Sequence, residues 1–374
     1  MKRVVLINQS ASYLTVDIIN AYAEENEEVV LMTGKLKEAE RKLSDKVKVS
    51  KLVAYDRSSA LKRILTWVVA FVQIFFKLLF KYRGYEVVYV TNPPLSYLAS
   101  LVLGNPFSVI VFDTYPDALR NIGIKQGHWL YNLWSKWNRK LFRKARKVYT
   151  LSEGMAHQLT NYVEREQIKV VPLWPASEAF APIAKEKNPF AMEHHLENKF
   201  VVMYSGNMGY THSVDTLVDV AERLADVDKV HFLFVGDGKK KTELVASVAE
   251  KGLTNCTFLD WQPVEMLPYS LATADLGVIT LNEETALTSV PSKTFNLLAV
   301  GAPLLCIAPK HAEIAGMVER FENGIVCPAT DIDCIAAFVE ELAGDDARRH
   351  AMSANSLTAA KEYTKENAKL YLPD

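Results

Sequence analysis

The chain alternates short apolar runs with longer helical stretches, and this alternation limits the folds open to it. Apolar runs separated by helices are typical of parallel sheets that are covered on both faces. Strands are predicted at residues 4–7, 28–32, 87–90, 108–112, 147–150, 200–204, 230–235, 256–259, 276–279, 304–307 and 324–327. At 374 residues the chain is long enough for two domains. We therefore expect an α/β protein of two doubly wound domains that face each other across a cleft near the carboxyl ends of their strands.

Prolines within a polar stretch mark the expected connection between the domains. The motif Pro172-Leu173-Trp174-Pro175 is followed by Pro182 and Pro189, a spacing that suits an inter-domain linker. We place the first domain at residues 1–180 and the second at 181–355, which leaves residues 356–374 as a C-terminal helical segment.

Composition narrows the class of protein. A net charge of −1 gives no reason to expect binding to nucleic acid. Cys256, Cys306, Cys327 and Cys334 form no Cys-x-x-Cys pair, so we expect buried reduced thiols and neither a metal site nor a disulfide framework. The apolar run at 4–7 is too short for a signal peptide, which favours a cytoplasmic protein.

The segment 64–80 is strongly apolar, contains Gln73 and Lys77, and has basic residues on both sides. It is shorter than the roughly 20 residues of a spanning helix. Trp67, Phe71 and its other aromatic residues suit a helix that lies in a membrane interface. A helix buried in the protein core would also be apolar on all sides, so both interpretations stay open.

A second segment, 129–144, carries two tryptophans, Trp134 and Trp137, and leads into a basic cluster. The cluster consists of Arg139, Lys140, Arg143, Lys144, Arg146 and Lys147. Such clusters usually form solvated helix faces. Together with the segment 64–80, this cluster would alternatively place the first domain on anionic lipid.

The segment Val290-Pro291-Ser292-Lys293-Thr294-Phe295 opens an apolar helix that ends at Gly301-x-Pro303. The first N–H groups of a helix have no partner within it and carry partial positive charge. Ser292, Lys293 and Thr294 therefore stand where a phosphate would be held. An ordinary helix cap followed by a proline stop gives the same pattern.

Three further turns of the second half follow predicted strands. Two are rich in glycine, which lets the backbone approach a ligand closely, and the third could present a flat side chain to a base. Ordinary strand-to-helix turns and a surface loop would look the same. The candidate residues are Gly206, Asn207 and Gly209, then Gly236, Asp237 and Gly238, then Trp261 and Gln262.

The first half has no glycine-rich turn after its first strand, which argues against a dinucleotide there. Polar loops follow three of its predicted strands and leave room for another molecule, such as an acceptor. Asp113 lies at the end of a strand, where functional carboxylates are common, although exposed loop acids are common there too. The other acceptor candidates are Asn8, Ser10, Ser12, Asn92 and Tyr115.

In their order along the chain, these loops resemble the retaining GT-B glycosyltransferases of family four. They are most similar to bacterial surface-polysaccharide transferases of the colanic acid and O-antigen amino-sugar type. The matching motifs are Asp113-x-x-Pro116-Asp117, Ser152-Glu153-Gly154-Met155, Pro172-x-Trp174, Ser205-Gly206-Asn207-Met208-Gly209, Val235-Gly236-Asp237-Gly238, Gln262-Pro263-x-x-x-Leu267-Pro268 and Val290-Pro291-Ser292-Lys293 with Gly301-x-Pro303.

The resemblance implies two Rossmann-like domains and transfer of a sugar, with retention, from a nucleotide diphosphate sugar, usually a UDP-sugar. The C-terminal domain would hold the donor, with Ser292, Lys293 and Thr294 at the diphosphate. The N-terminal domain would hold a polyprenyl-diphosphate-linked saccharide on the cytoplasmic face of the inner membrane. Fixed helix donors and Lys293 would stabilise the leaving group, so no metal or other cofactor is expected. The resemblance also implies that the C-terminal segment crosses back to the first domain.

The sequence departs from the family pattern at two acids. Family members commonly have a Glu-x7-Glu pair, and Thr288 and Asn296 occupy those positions here. Asn296 could still hydrogen-bond ribose hydroxyls as a neutral amide, and we count it with Asp113 and Lys293 as a candidate catalytic residue. The departures leave open a catalytically silent protein of the same fold that binds a partner or a lipid head group. A nucleotide-sugar 2-epimerase, which uses a related fold, is a further alternative.

Overall fold

The computed structural model describes residues 2–38, 41–56, 58–117, 127–210, 212–287 and 289–373. Contacts between residues divide the chain into two compact units. The first comprises Met1–Leu173 with Lys365–Asp374, and the second comprises Trp174–Thr364. The sequence placed the domain boundaries after residues 180 and 355, near the observed boundaries after Leu173 and Thr364.

The first unit is built on parallel strands. The strands are β1 (Arg3–Ile7), β2 (Ser10–Ala11), β3 (Glu28–Thr33), β4 (Lys35–Leu36), β5 (Val47–Lys51), β6 (Glu86–Val90), β7 (Phe107–Ile110), β8 (Val148–Thr150) and β9 (Ile168–Val170). The helices are α1 (Tyr13–Glu25), α2 (Ala60–Phe80), α3 (Trp129–Phe142) and α4 (Glu153–Leu159), with 3-10 helices at Ser96–Leu101, Arg165–Gln167 and Lys365–Tyr371.

In the described part of this unit, a sheet has the strand order β5-β3-β1-β6-β7-β8-β9, and β2 pairs with β4. The direction in which strands are added reverses between β1 and β6, and a crevice at the carboxyl ends of the strands is expected at such a point. Residues 4–7 of β1 and all of β6 are buried, because central parallel strands are covered on both faces.

The segment Lys365–Tyr371 completes the core of the first unit. Tyr371 is fully buried, and its ring centroid lies 5.2 Å from that of Tyr149. Its carbonyl oxygen accepts a hydrogen bond of 2.7 Å from the hydroxyl of Tyr22 on α1. A segment far along the chain therefore covers the strands and helix of the first 173 residues.

The second unit has the same architecture. Its strands are β10 (Phe200–Ser205), β11 (Val230–Val235), β12 (Cys256–Leu259), β13 (Leu276–Thr280), β14 (Leu304–Ile307) and β15 (Gly324–Cys327). Its helices are α5 (Pro189–Glu193), α6 (Asp215–Arg223), α7 (Lys241–Glu250), α8 (Leu267–Leu271), α9 (Ser292–Ala299), α10 (Glu313–Phe321), α11 (Ile332–Gly344) and α12 (Asp346–Ala360). The described strands pair in parallel in the order β12-β11-β10-β13-β14-β15, which reverses between β10 and β13.

The predicted strands of both halves are present, and the predicted α/β fold class is confirmed. Four strands were not predicted from the sequence, namely the two-residue strands β2 and β4 and the longer β5 and β9. In β5, valines alternate with lysine and serine, and most of its residues are not buried because it lies at the sheet edge. Strand β9 is only three residues long.

The expectation of reduced cysteines is wrong for one pair. Cys327 and Cys334 are joined by a disulfide, with their Cα atoms 6.5 Å apart. Cys327 ends β15 and Cys334 lies in the first turn of α11, so the strand-to-helix connection brings them together. Cys256 and Cys306 are free.

Helix α2 is not a buried core helix. By length and composition alone it could cross a membrane, and only 17% of its most apolar 18-residue window is buried. Its exposed large apolar side chains are Leu61, Ile64, Leu65, Val68, Val69, Val72, Phe76 and Phe80. The outer face is thus mainly aliphatic, whereas Trp67 stacks on Tyr55 and Phe71 packs partly against the core.

The polar residues inside α2 point toward the protein. The side-chain oxygen of Gln73 accepts a 2.8 Å hydrogen bond from the backbone N–H of Val53. The ammonium group of Lys77 donates to the Ser50 hydroxyl at 2.8 Å and to the Lys51 carbonyl at 2.6 Å. Lys77 therefore binds the end of β5 and does not extend toward solvent. The inner face of α2 also buries Ala70, Ile74 and Leu78, so the helix is apolar on both faces.

We predict that Tyr371→Ala destabilises the first unit by about 3 kcal/mol, because it removes a buried aromatic ring and leaves a cavity. Leu370→Ala, on the same 3-10 helix but 41% exposed, should cost about 1 kcal/mol or less. Equilibrium unfolding in urea measures both free energies. Equal losses for the two variants would contradict the role assigned to the C-terminal segment.

Candidate active site

The candidate site of the second unit lies where its strand order reverses. The turn after β10 begins at Gly206, the turn after β11 at Gly236, and β13 ends at Thr280. Helix α9, which opens with Ser292 and Lys293, connects β13 to β14. Ligands of open parallel sheets bind at this kind of switch point, and the sequence prediction of the second half points to the same loops.

The turns after β10 and β11 are in direct backbone contact. The Gly206 N–H donates to the Val235 carbonyl at 2.9 Å, and the Met208 N–H donates to the Asp237 carbonyl at 2.8 Å. A Cβ atom on Gly236 would lie 2.2 Å from the Gly206 carbonyl oxygen, and its φ of +133° also favours glycine. Gly206 and Gly236 were predicted to let the backbone approach a ligand. In the structure they allow the two turns to approach each other.

Lys293 of α9 reaches the turn after β10. Its ammonium nitrogen lies 3.9 Å from the centroid of the Tyr204 ring. A Cβ atom on Gly206 would lie 2.5 Å from the same nitrogen. The nitrogen is buried and has no hydrogen-bond partner among the described residues. A buried cation in this state is costly unless an anion or another acceptor satisfies it.

Burial changes the protonation equilibria of this cluster. It lowers the pKa of Lys293 to about 8 and raises the pKa of Tyr204 to about 12. It also lowers the pKa of His212, and the neighbouring positive charge of Lys293 acts in the same direction. A ring nitrogen of His212 lies 3.3 Å from the Thr280 hydroxyl. Lys293 is therefore the cation of this cluster, and a bound anion would stabilise its charged form.

The remaining residues of the Pro-Ser-Lys helix differ in position. Pro291 precedes the helix without a side-chain cap, and Ser292 is exposed. The hydroxyl of Thr294 is buried without a hydrogen-bond partner among the described residues. Phe295 is buried, and its ring centroid lies 5.0 Å from that of Tyr363. The structure therefore places Phe295 in the core, where it packs and does not line a ligand site.

The structure also changes the expectation for Asn296. Its side-chain oxygen accepts a 3.0 Å hydrogen bond from the backbone N–H of Ala176. This bond holds the segment after Trp174 against α9 and uses one of the two acceptor positions of the amide oxygen. The second altered family position, Thr288, lies outside the described residues. The nearby Glu283 is exposed, and its carboxylate lies 3.4 Å from His311.

The other donor candidates are at the surface. Trp261 is 56% exposed and therefore available to stack on a flat ring, whereas the Gln262 side chain donates to the Asp260 carbonyl at 3.0 Å. Asn207 is exposed. Asp237 accepts a 2.8 Å hydrogen bond from the N–H of Gly238, which fixes the turn after β11. A Cβ atom on Gly209 would lie 2.8 Å from the Asn207 amide nitrogen.

In the first unit, three polar loops meet at the carboxyl ends of β1, β6 and β7. The Gln9 N–H donates to the Asn92 carbonyl at 2.7 Å. The Thr91 hydroxyl accepts from the N–H groups of Phe112 and Asp113 at 3.1 and 3.3 Å. The structure thus brings together the Asn8, Asn92 and Asp113 loops that the sequence grouped.

The individual acceptor candidates are not equally accessible. Asn8 is buried, donates to the Thr15 hydroxyl at 2.7 Å and accepts from the Ser10 N–H at 3.1 Å, so it stabilises the loop. Ser10, Ser12 and Asn92 are half-buried, and Asp113 is exposed.

Tyr115 packs within the first unit. Its ring stacks on Trp134 with centroids 5.2 Å apart, and its carbonyl accepts from the Asn138 side chain at 2.6 Å. Asp117 accepts hydrogen bonds from the hydroxyls of Tyr131 and Tyr162, at 2.6 and 2.9 Å. The second acid of the Asp113-x-x-Pro116-Asp117 motif therefore anchors its loop.

Sequence reasoning missed Tyr204 and Thr280 as members of the second-unit site. Both are strand residues, and apolar strand periodicity assigns them to the core. The available signal was their position beside the strand ends of β10 and β13. No group of three or more His, Cys, Asp or Glu side chains that could hold a metal ion occurs among the described residues; independence from metal remains a prediction.

Two family descriptions match the chain in sequence. Residues 12–174 match "Glycosyl transferase 4-like domain", and residues 186–358 match "Glycosyl transferases group 1". The first range falls almost entirely within the first unit and the second within the second unit.

Two curated relatives share parts of this sequence. A probable glycosyltransferase, WbjE of Pseudomonas aeruginosa, is 24% identical over 70% of this chain and 66% of its own length. A putative colanic acid biosynthesis glycosyl transferase, WcaI of Escherichia coli, is 27% identical over 58% of this chain and 54% of its own length. The matched regions thus span about half to two thirds of these relatives.

Anabaena HepE, solved in complex with UDP-glucose, has a similar fold. It aligns with a TM-score of 0.73 and 14% identity over 99% of this chain and 98% of its own. This likeness and the strand order of both units confirm the predicted GT-B fold. With the two family domains in sequence, the resemblance seen in the motifs is also confirmed. The chain belongs to the GT-B glycosyltransferases, with a 4-like domain followed by a group 1 domain.

Proposed function

We propose that this protein transfers a sugar, with retention, from a nucleotide diphosphate sugar to a lipid-linked saccharide during synthesis of a bacterial surface polysaccharide. The observation that carries the proposal is the buried ammonium group of Lys293. It lies beside the Gly206 turn without a hydrogen-bond partner among the described residues.

A diphosphate fits this ammonium group chemically. Phosphate oxygens accept the strong charge-assisted hydrogen bonds that the buried cation lacks. The N-terminus of α9, which has no side-chain cap, adds partial positive charge beside it. In sugar transfer the leaving diphosphate gains negative charge, so a fixed cation at this place stabilises the transition state more than the bound substrate. We assign this role to Lys293, without a metal ion.

We propose UDP as the nucleotide of the donor. The structural relative HepE was solved with UDP-glucose, which supports this choice by analogy. The exposed Trp261 ring follows β12 and is available to stack on the base. Asn207 and the turn after β11 are assigned to the remainder of the donor.

The acceptor is assigned to the loops of the first unit. Asp113 is an exposed carboxylate at the end of β7, and we propose that it contacts the acceptor hydroxyl. Ser10, Ser12 and Asn92 are half-buried around the same strand ends and would bind acceptor sugars. The relative WcaI is described as acting in colanic acid biosynthesis, which supports a polysaccharide product.

The α2 helix supports a lipid-linked acceptor and a peripheral position on the cytoplasmic face of the inner membrane. The apolar side chains of its outer face are exposed while its internal polar residues bind the protein. Lys62, Lys81 and Arg83 are exposed at its ends. Apolar residues flanked by basic ones are the pattern that binds an anionic membrane interface.

A catalytically silent binding protein is the second candidate. The hydrogen bond between Asn296 and Ala176 favours it, because the residue at a family acid position is tied to the protein backbone. Such a protein would bind the nucleotide and transfer no sugar.

We predict that one nucleoside diphosphate, UDP above GDP and dTDP, raises the thermal stability of the protein. A ligand that binds only the folded state stabilises it by about 2.7 kcal/mol at a hundredfold excess over its dissociation constant. The shift should vanish in Lys293→Ala. It should persist in the control Lys361→Ala, which replaces the exposed lysine just after α12.

Measurement of UDP release from the corresponding nucleotide sugars then separates the two candidates. Binding together with release of UDP supports the transferase, whereas binding without turnover supports the silent protein. The absence of a shift with every nucleotide would remove the donor site from α9.

We predict that UDP affinity is constant between about pH 7 and pH 8 and falls about tenfold per pH unit above it, because the free Lys293 amine then loses its proton. The terminal phosphate of UDP, with a pKa of about 6, is already ionised in this range. Burial keeps Tyr204 and His212 neutral there. In Lys293→Arg the guanidinium stays charged, so its profile should be flat. A flat wild-type profile in calorimetric titrations up to about pH 9, below the range in which uracil itself ionises, would contradict the assignment.

We predict that the protein sediments with vesicles of phosphatidylethanolamine and phosphatidylglycerol. The double variant Val68→Glu/Phe76→Glu should bind at least about tenfold more weakly, because two charges enter the apolar face. Val102→Glu is a single-charge control, since Val102 is 78% exposed in the same unit but lies outside α2. Equal sedimentation of both variants would exclude α2 as the membrane contact.

A further inference from the structure

Tyr204 contacts the two parts of the candidate diphosphate site with different ends of its side chain. The face of its ring lies 3.9 Å from the ammonium nitrogen of Lys293. Its hydroxyl donates a 2.7 Å hydrogen bond to the carbonyl of Asn207. The first contact reaches α9 and the second reaches the turn after β10.

We propose that Tyr204 is a positioning residue for the donor diphosphate, because it holds the Lys293 ammonium group and the Gly206–Gly209 turn in one fixed arrangement. This inference rests on the proposed function, since it concerns the same diphosphate. Tyr204 need not touch the nucleotide itself and acts through these two neighbours.

The ring replaces water around the cation. The ammonium nitrogen is buried without a hydrogen-bond partner among the described residues, so the aromatic face is its principal favourable electrostatic contact there. Cation–π contacts are strongest where water is excluded. Without the ring, the flexible lysine would gain freedom to turn toward solvent, and donor binding would have to order it again.

The hydroxyl restrains the turn in the same way. The hydrogen bond to Asn207 fixes the backbone that follows Gly206. Gly206 in turn leaves room for the ammonium group, because a Cβ atom there would lie 2.5 Å from the Lys293 nitrogen. Cation and turn are thus fixed to one side chain before a ligand arrives.

The alternative is that Tyr204 only fills the core. The residue is fully buried and belongs to the apolar cluster of the second unit, so loss of its ring also costs packing. A packing role would act on all ligands alike and would not depend on Lys293, which makes the two roles separable.

A double-mutant cycle on UDP affinity tests the inference. Calorimetry compares the wild type, Tyr204→Leu, Lys293→Met and the double variant, with UDP and with uridine, which lacks phosphate. Tyr204→Leu should weaken UDP about tenfold and leave uridine affinity within about twofold of the wild type. In the Lys293→Met background the same change should weaken UDP clearly less than in the wild type, because only the restraint of the Asn207 turn remains to be lost.

A second comparison keeps the shape of the side chain. Tyr204→Phe retains the ring face, and incorporation of pentafluorophenylalanine at the same position retains the shape but removes the negative face of the ring. The fluorinated protein should bind UDP about tenfold more weakly than Tyr204→Phe. This pair serves where Tyr204→Leu does not fold.

Equal losses of UDP affinity in both Lys293 backgrounds, or equal affinity of the two ring variants, would overturn the positioning role and leave the proposed function in place. Failure of the wild type to bind UDP would overturn the UDP-donor assignment and this inference together.

Discussion

The backbone contact between the turns after β10 and β11 is the constraint on which the candidate donor site depends. Parallel pairing places Ser205 opposite Val235, so both strands end at the same level and their turns must pass each other. Gly236 makes this possible because it has no Cβ atom to meet the Gly206 carbonyl. Lys293 can then enter beside Gly206 from α9. The position of the cation thus follows from strand register and from two missing side chains.

Much of this arrangement is predictable from sequence, because central strands and helix termini have strong local signals. The six strands of the second unit, the Gly206 turn and the Lys293 helix are examples. The role of a residue is harder to predict when its partner lies far away in the sequence. Asn8 and Asn296 look like ligand-binding amides, yet one binds Thr15 and the other binds Ala176. Tyr204 looks like an ordinary strand residue, and only the fold shows that a lysine 89 positions later lies over its ring.

Helix α2 shows a second reason why sequence prediction falls short. A segment that is apolar on nearly every side carries no periodicity that distinguishes its inner from its outer face. Gln73 and Lys77 were the available signal, but their partners are the Ser50 hydroxyl and backbone groups of residues 51 and 53. These lie at and just after the end of an edge strand that was itself not predicted. With β5 in place, the two polar residues bind the chain at its C-terminal end. Ile74 and Leu78 pack in the core, and the aliphatic residues of the opposite face stay exposed.

The return of residues 365–371 to the first unit has a consequence for the order of folding. During synthesis the first 173 residues emerge as a sheet whose Tyr149 surface lacks its covering side chain. The chain must pass through the entire second unit before Tyr371 becomes available. The second unit, which is continuous in sequence, can complete its core at once. The unit that is synthesised first is therefore expected to reach its final stability last.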